Sequence, residues 1–153
     1  MGWKDCHLHS FSLGKKPHQT IYQTPMDEEE VEYFKLKGKE YERKYTLFDL
    51  NLDQGEHFEY MYDFGDGWKH RIEVEKVMPF SQEIKHPLCL EATRACPPED
   101  CGGTGEYEDL LEALNAPSHE NHKHIKKWVG SKFDPEKVDL EEINQQLSRM
   151  KLF

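Results

Sequence analysis

Long apolar runs are absent from this chain of 153 residues. A bilayer-spanning helix needs roughly 18 or more such residues in succession, so a hydropathic membrane span is excluded. The N-terminus, M-G-W-K-D-C-H-L-H, carries no apolar segment of the kind a secretory signal requires. Position 6 is Cys where a myristoylation signal places Ser or Thr. A cytoplasmic protein is the expectation, with its four cysteines, Cys6, Cys89, Cys96 and Cys101, reduced. Cationic charge is also scarce: Lys and Arg number 20 against 30 Asp and Glu, for a net charge of -10. The basic residues form only short groups, Lys35-Lys37-Lys39 and Lys123-Lys126-Lys127. Without a basic stripe, binding to a phosphate backbone or an anionic membrane is disfavoured.

Hydrophobic residues make up 36% and charged residues 33%, which fits one domain over 1–153 with a modest core and a charged surface. Aromatics at 12% argue against disorder. Near the start, His7, His9, Phe11 and Leu13 alternate with Leu8, Ser10 and Ser12, predicting a strand. Residues 14 to 45 are polar and read as a long excursion with a short helix near Val31 to Leu36. Thr46 and Asp49 predict a short helical turn capped by Thr46.

The most distinctive stretch is Y-M-Y-D-F-G-D-G-W-K-H-R, residues 60 to 71. Phe58, Tyr60, Tyr62 and Phe64 alternate before it turns; Trp68, His70, Ile72 and Val74 alternate after. A two-residue turn would mix the faces. A three-residue loop pairs Phe64 with Trp68, Tyr62 with His70, Tyr60 with Ile72 and Phe58 with Val74, giving one aromatic face. Gly67 then supplies the left-handed residue, and Asp63 lies opposite Lys69 and Met61 opposite Arg71. The prediction is a long central hairpin at about 57–77. Residues 78 to 105 are loop-like, with a short strand around 88 to 92. Three helices follow: Tyr107 to Leu114; 119 to 129, stopped by Gly130; and Asp139 to Met150, opened by an Asp139-x-x-Glu142 cap. Strands first and helices last predict an α+β fold, an antiparallel sheet packed by three C-terminal helices.

Four pieces of the chain, G-W-K-D-C-H-L-H-S-F (2 to 11), Y-D-F-G-D-G-W-K-H-R-I (62 to 72), A-C-P-P-E-D-C-G-G (95 to 103) and F-D-P-E-K-V-D-L-E-E-I-N (133 to 144), resemble in order the plasmid pRi ORF-three-like family of plasmid, mobile-element and chromosomal proteins. The resemblance implies an α+β fold and leaves the biochemistry open. Members of that family usually begin with an extra strand and helix before G-W, whereas here Met1 directly precedes Gly2. A sheet edge left uncovered in this way would favour a homodimer. Some relatives are labelled resolvases from their place on mobile elements. No serine here lies in an activating setting, and the charge is wrong for DNA.

Candidate chemistry gathers at a few residues. His7, His9, Asp63 and His70 combine imidazole and carboxylate donors suited to a divalent metal such as zinc, or to acid–base work by His9, Asp63, His70 and Glu99. The structural alternatives are equally concrete. His70 fits among aromatics as a hydrogen-bonding group, and Asp66 suits a Gly-flanked turn bonded to its own backbone. Cys96 and Cys101, with Cys89 or Cys6, could hold zinc, but two tight cysteine pairs are lacking. Gly102-Gly103-Thr104-Gly105 has no phosphate-binding lysine, and Glu106, Glu108 and Asp109 crowd the helix start. Of His119, His122 and His124, only the first two share a helix face, which reads as solvated surface. The leading expectation is a non-enzymatic binding domain with an unassigned ligand, contacted by the loops bearing Asp66, Trp68, Glu99 and Asp100. The competing one is a metal-dependent hydrolase using His7, His9, Asp63, Asp66, His70, Glu99 and Asp100. A nucleic-acid accessory protein is third.

Overall fold

Alternating aromatic and polar residues make the first half of the chain a sheet, because one face of each strand is buried and the other is solvated. A computed structural model describes residues 2–14, 19–25, 29–30, 33, 40–79 and 83–150, the side chains at 41 and 43 excepted. Its strands are β1 (His9–Leu13), β2 (Thr20–Gln23), β3 (Glu40–Tyr41), β4 (His57–Tyr62) and β5 (Trp68–Glu73), with a 3-10 turn at Glu42–Lys44. The helices are α1 (Gly103–Asn115), α2 (His122–Val129) and α3 (Leu140–Leu147). The class is α+β, as the order of strands and helices predicts.

The described chain forms two compact units. The sheet unit comprises Asp5–Met78 with Gly102–Thr104; the helical unit comprises Met1–Lys4, Pro79–Cys101 and Gly105–Phe153.

In the sheet unit the strand order is β3-β2-β1-β4-β5. All neighbours are antiparallel except β2 and β3. The β4–β5 hairpin therefore lies at one side of the described sheet rather than at its centre. β2 and β3 are strands inside the segment read from sequence as an excursion. Most of the helix expected at Val31 to Leu36 lies outside the described residues. The predicted parity of the hairpin holds, but its register is shifted by two: Tyr62 pairs with Trp68, Tyr60 with His70, Phe58 with Ile72 and Met61 with Lys69. Tyr22, Phe11, Tyr60 and His70 consequently stand in one row across four strands. Their rings make contact, Phe11 to Tyr60 at 4.9 Å and Tyr60 to His70 at 5.6 Å. Phe58, Tyr62 and Trp68 are the buried hydrophobic side chains of these strands, Tyr62 at only 1% exposure. Each aromatic pair adds about 0.5–1.5 kcal/mol beyond area burial.

The turn after β3 runs opposite to expectation. Asp49, not Thr46, supplies the cap: its Oδ2 accepts the Thr46 N–H (2.6 Å) and hydroxyl (2.7 Å). Those bonds, the hydroxyl's first, hold the Asp49 carboxyl below its ordinary range.

In the helical unit, Leu110 and Ala113 of α1 are buried. His122 Nδ1 donates to the Ala113 carbonyl at 2.9 Å, joining α2 to α1. α2 begins at His122, so His119 and His122 do not share a helix face as expected; His119 Nδ1 instead accepts the Asn121 N–H. Gly130 ends α2 at φ 85°, and Asp139 caps α3 by accepting the Glu142 N–H at 2.9 Å. No strand forms at 88 to 92. The Asn144 side chain takes the place of a neighbouring strand there: Oδ1 accepts the Cys89 N–H (2.8 Å) and Nδ2 donates to the Cys89 carbonyl (3.0 Å). A carboxamide carries the same donor–acceptor pair as a peptide group.

Two glycines at the start of α1 should respond oppositely to alanine. Gly103 has φ 80°, and a Cβ there would collide with the Asp66 carbonyl oxygen, whereas nothing lies within 4 Å of a Cβ at Gly105. Urea unfolding should show Gly103→Ala losing about 2–4 kcal/mol through strain and overlap. Gly105→Ala should gain up to about 1 kcal/mol from helix propensity.

Candidate functional site

β4 stops at Tyr62 because the next residue turns left-handed. Asp63 has φ 54°, a conformation Asp tolerates because its short side chain bonds locally. Its Oδ1 accepts the N–H groups of Gly65 (2.9 Å) and Asp66 (3.3 Å). Its carbonyl accepts the Gly67 N–H (2.6 Å), and its own N–H donates to the Leu8 carbonyl (2.9 Å). The loop is thus five residues, 63–67, not three, and this accounts for the two-residue shift in register. Gly67 is left-handed at φ 68°, as expected. Asp63 is 8% exposed and does not face Lys69. Its Oδ2 lies 3.5 Å from His7 Nδ1, and the His7 ring stands edge-on to Tyr62. Asp66 does not serve its own turn: its Oδ2 accepts the Gly102 N–H at 2.9 Å.

His9 belongs to a second group. Glu42, from the 3-10 turn, places Oε1 2.6 Å from the Thr24 hydroxyl, which donates to it, and 3.0 Å from His9 Nε2. A carboxylate only accepts, so the ring proton in this bond sits on Nε2. His9 Nδ1 is 3.4 Å from Asp5 Oδ1. The other Glu42 oxygen, Oε2, is buried and has no hydrogen-bond partner among the described residues. His70 is set apart from both groups by Tyr60, whose ring lies 5.8 Å from His9 and 5.6 Å from His70. His70 Nδ1 donates to the Tyr60 carbonyl at 3.3 Å.

Beside Glu42 is a cavity of about 240 Å³ lined by Phe11, Tyr22, Tyr45, Thr46, Leu47 and Leu50. Tyr22 and Tyr45 meet edge to face at 5.0 Å. The Tyr45 hydroxyl donates to Glu40 Oε2 at 2.7 Å, and this bond pushes the Tyr45 phenol up. Burial, then the Glu40 charge, pushes Tyr22 up. The sheet unit also has a larger cleft of about 690 Å³ by Leu13, Asn51 and His57. The helical unit has one of about 350 Å³ by Leu110, His124 and Trp128.

Within the sheet unit, the sequence candidates are distributed. His7 stands with Asp63, His9 with Glu42 and Asp5, and His70 with Tyr60. Among the described residues, no three of His7, His9, Asp63 and His70 bring ligand atoms within 4.8 Å of one another. Trp68 is buried. Within the helical unit, Glu99 Oε1 accepts the Lys4 N–H at 2.6 Å, and Asp100 is exposed at φ 58°. Cys96 and Cys101 are free thiols and join no three-donor cluster among the described residues. Burial, foremost, pushes the Cys96 thiol up. Glu42, Tyr22 and Tyr45 were not singled out by sequence. The T-I-Y-Q alternation at Thr20–Gln23 is the signal that could have placed Tyr22 on a strand.

Fold and site define an α+β protein whose sheet carries an aromatic face with imidazole–carboxylate pairs at its margin. The chain belongs to the plasmid pRiA4b ORF-3-like protein family, which it matches over residues 1–142. It is 36% identical over 151 residues to the uncharacterized protein y4hQ of Sinorhizobium fredii (strain NBRC 101917 / NGR234), covering 95% of this chain and 70% of that one. It also resembles the crystal structure of MM3350, a protein of unknown function from Methanosarcina mazei Go1. The TM-score is 0.75 with 31% identity, over 93% of this chain and 75% of that one.

Replacing Asp63 separates its charge from its hydrogen bonds. Asp63→Ala leaves two N–H groups without their acceptor and should cost roughly 1–3 kcal/mol in urea unfolding. Asp63→Asn keeps an acceptor and the left-handed preference, and should cost less than about 1 kcal/mol. Thiol accessibility gives a second check. In timed alkylation followed by mass spectrometry, exposed Cys6 should react first, and Cys96 and buried Cys101 last.

Proposed function

We propose that the protein is a binding module rather than a metal-dependent hydrolase, with its ligand surface on the sheet unit. One observation carries this reading: the histidines and carboxylates of the sheet are paired off separately, while the cavity beside them has aromatic and aliphatic walls. Catalysis by acid–base or metal chemistry needs such groups to converge on one reacting atom. Ligand cavities, by contrast, are mostly apolar with a few placed polar groups. The Gly65-Asp66-Gly67 loop is a weaker candidate for the ligand surface, since the Asp66 carboxylate is engaged by Gly102.

The hydrolase remains the second reading because of the His7–Asp63 pair, an arrangement that orients an imidazole. Cytoplasmic residence is part of the same proposal; no described helix is long and apolar enough to cross a membrane. Pairing of two copies through β5 stays outside the proposal. That edge carries Lys69, Arg71 and Glu73, charges of the sort that discourage strand addition.

Elemental analysis of protein purified without a histidine tag tests the choice. The binding reading expects no transition metal at stoichiometric level. One zinc per chain, lost in both His7→Ala and Asp63→Asn, would replace it with the hydrolase.

A further inference from the structure

The cavity beside Glu42 combines three properties that together select a ligand class. It is small: about 240 Å³ falls below the roughly 300–1,000 Å³ of sites for drug-sized molecules. Its walls are aromatic and aliphatic, with Phe11, Tyr22 and Tyr45 contributing rings. The charge of its described lining has one sign. Glu42 is the ionisable carboxylate of the lining, no Lys or Arg is among the described lining residues, and Glu40 lies one hydrogen bond behind Tyr45.

We propose that this cavity binds a small alkylammonium cation, held by the rings of Phe11, Tyr22 and Tyr45 and by the Glu42 carboxylate. This assignment rests on the binding reading above and names its ligand class.

Aromatic rings attract cations through their quadrupole, most strongly where water is displaced. Glu42 adds an independent observation. One of its oxygens is met by Thr24 and His9, while the other is buried with no hydrogen-bond partner among the described residues. A buried carboxylate short of donors is unfavourable, and a cation in the cavity that Glu42 lines offsets its charge through space. An anion would be repelled by Glu42. A hard metal ion would want six or more oxygens, which aliphatic and aromatic walls do not supply. Alkyl groups on the ligand have Leu47 and Leu50 of the lining to pack against.

Isothermal titration of the full chain tests the site with four probes. They are choline, tetramethylammonium, the neutral choline isostere with carbon in place of nitrogen, and a short peptide bearing one trimethyl-lysine. Choline and tetramethylammonium should bind one per chain, with the isostere at least about tenfold weaker. Glu42→Gln and Tyr45→Leu should each weaken choline about fivefold or more. Tyr45 is partly exposed, so its replacement should leave the far-ultraviolet circular dichroism unchanged. Binding of the peptide alone supports the site and assigns the cation to a partner chain. Equal affinity for the isostere, or no binding of any cation, overturns the proposal. If that happens in metal-free protein, the cation site fails and the broader binding reading stands. Stoichiometric zinc would remove the broader reading itself.

Discussion

Two backbone N–H groups gathered by the Asp63 carboxylate fix the length of the β4–β5 loop, and the geometry of the sheet unit follows from that length. Ending β4 one residue before Asp63 draws five residues out of the ladder. A slip of two residues would have kept every side chain on its own face, because strands repeat every two residues. Burial parity alone therefore cannot choose between the two registers. The Asp63 bonds choose, and they leave Phe64 half-exposed instead of opposite Trp68. The same loop presents the Asp66 carboxylate to the Gly102 N–H and the Asp66 carbonyl to Gly103. That explains why glycine is needed where α1 begins.

The chosen register builds the aromatic row Tyr22–Phe11–Tyr60–His70 and puts His9 beside Tyr60 and opposite Tyr62. Such a face binds its own strands together through cross-strand pairs. It also has a margin at β2 and the turn after β3, where Tyr22, Tyr45 and Leu47 are incompletely covered. Glu42 enters at that margin from the 3-10 turn. Its bonds to Thr24 and His9 connect the turn to β1 and to the end of β2. The cavity arises because the turn at Thr46–Asn51, closed by the Asp49 carboxylate, stands over the end of the aromatic row.

Much of this was readable from sequence, and the misses have physical causes. Period-two alternation reported the strands β1, β4 and β5 and their faces, since burial imposes that period directly. Gly130 and Asp139 reported helix ends because their roles are local. The hairpin register was missed because it depends on whether Asp63 pairs across the sheet or folds onto its own loop, and the same letter serves both. β2 and β3 were missed because they are short and lie in a polar segment. The strand expected at 88 to 92 failed for a non-local reason: its peptide is bonded by Asn144, 55 residues away in sequence. The candidate site was less legible than the fold. Histidines and cysteines attract notice by type, but Glu42 is one of many acidic residues, and only tertiary placement distinguishes it.

The two carboxylates of the sheet show how that distinction works. Asp63 Oδ1 accepts from Gly65 and Asp66, while Oδ2 lies 3.5 Å from His7 Nδ1. An oxygen engaged by donors fixed in the backbone, as Oδ1 is, gains little from a ligand, because binding would first have to break bonds that hold the loop. Glu42 is committed on one oxygen only, and it borders an open cavity. A positive charge in that cavity would offset a buried carboxylate that its own hydrogen bonds only partly satisfy. Residue type and local motif made the Asp63 loop look like the functional centre; the distribution of hydrogen bonds moves the better candidate to Glu42.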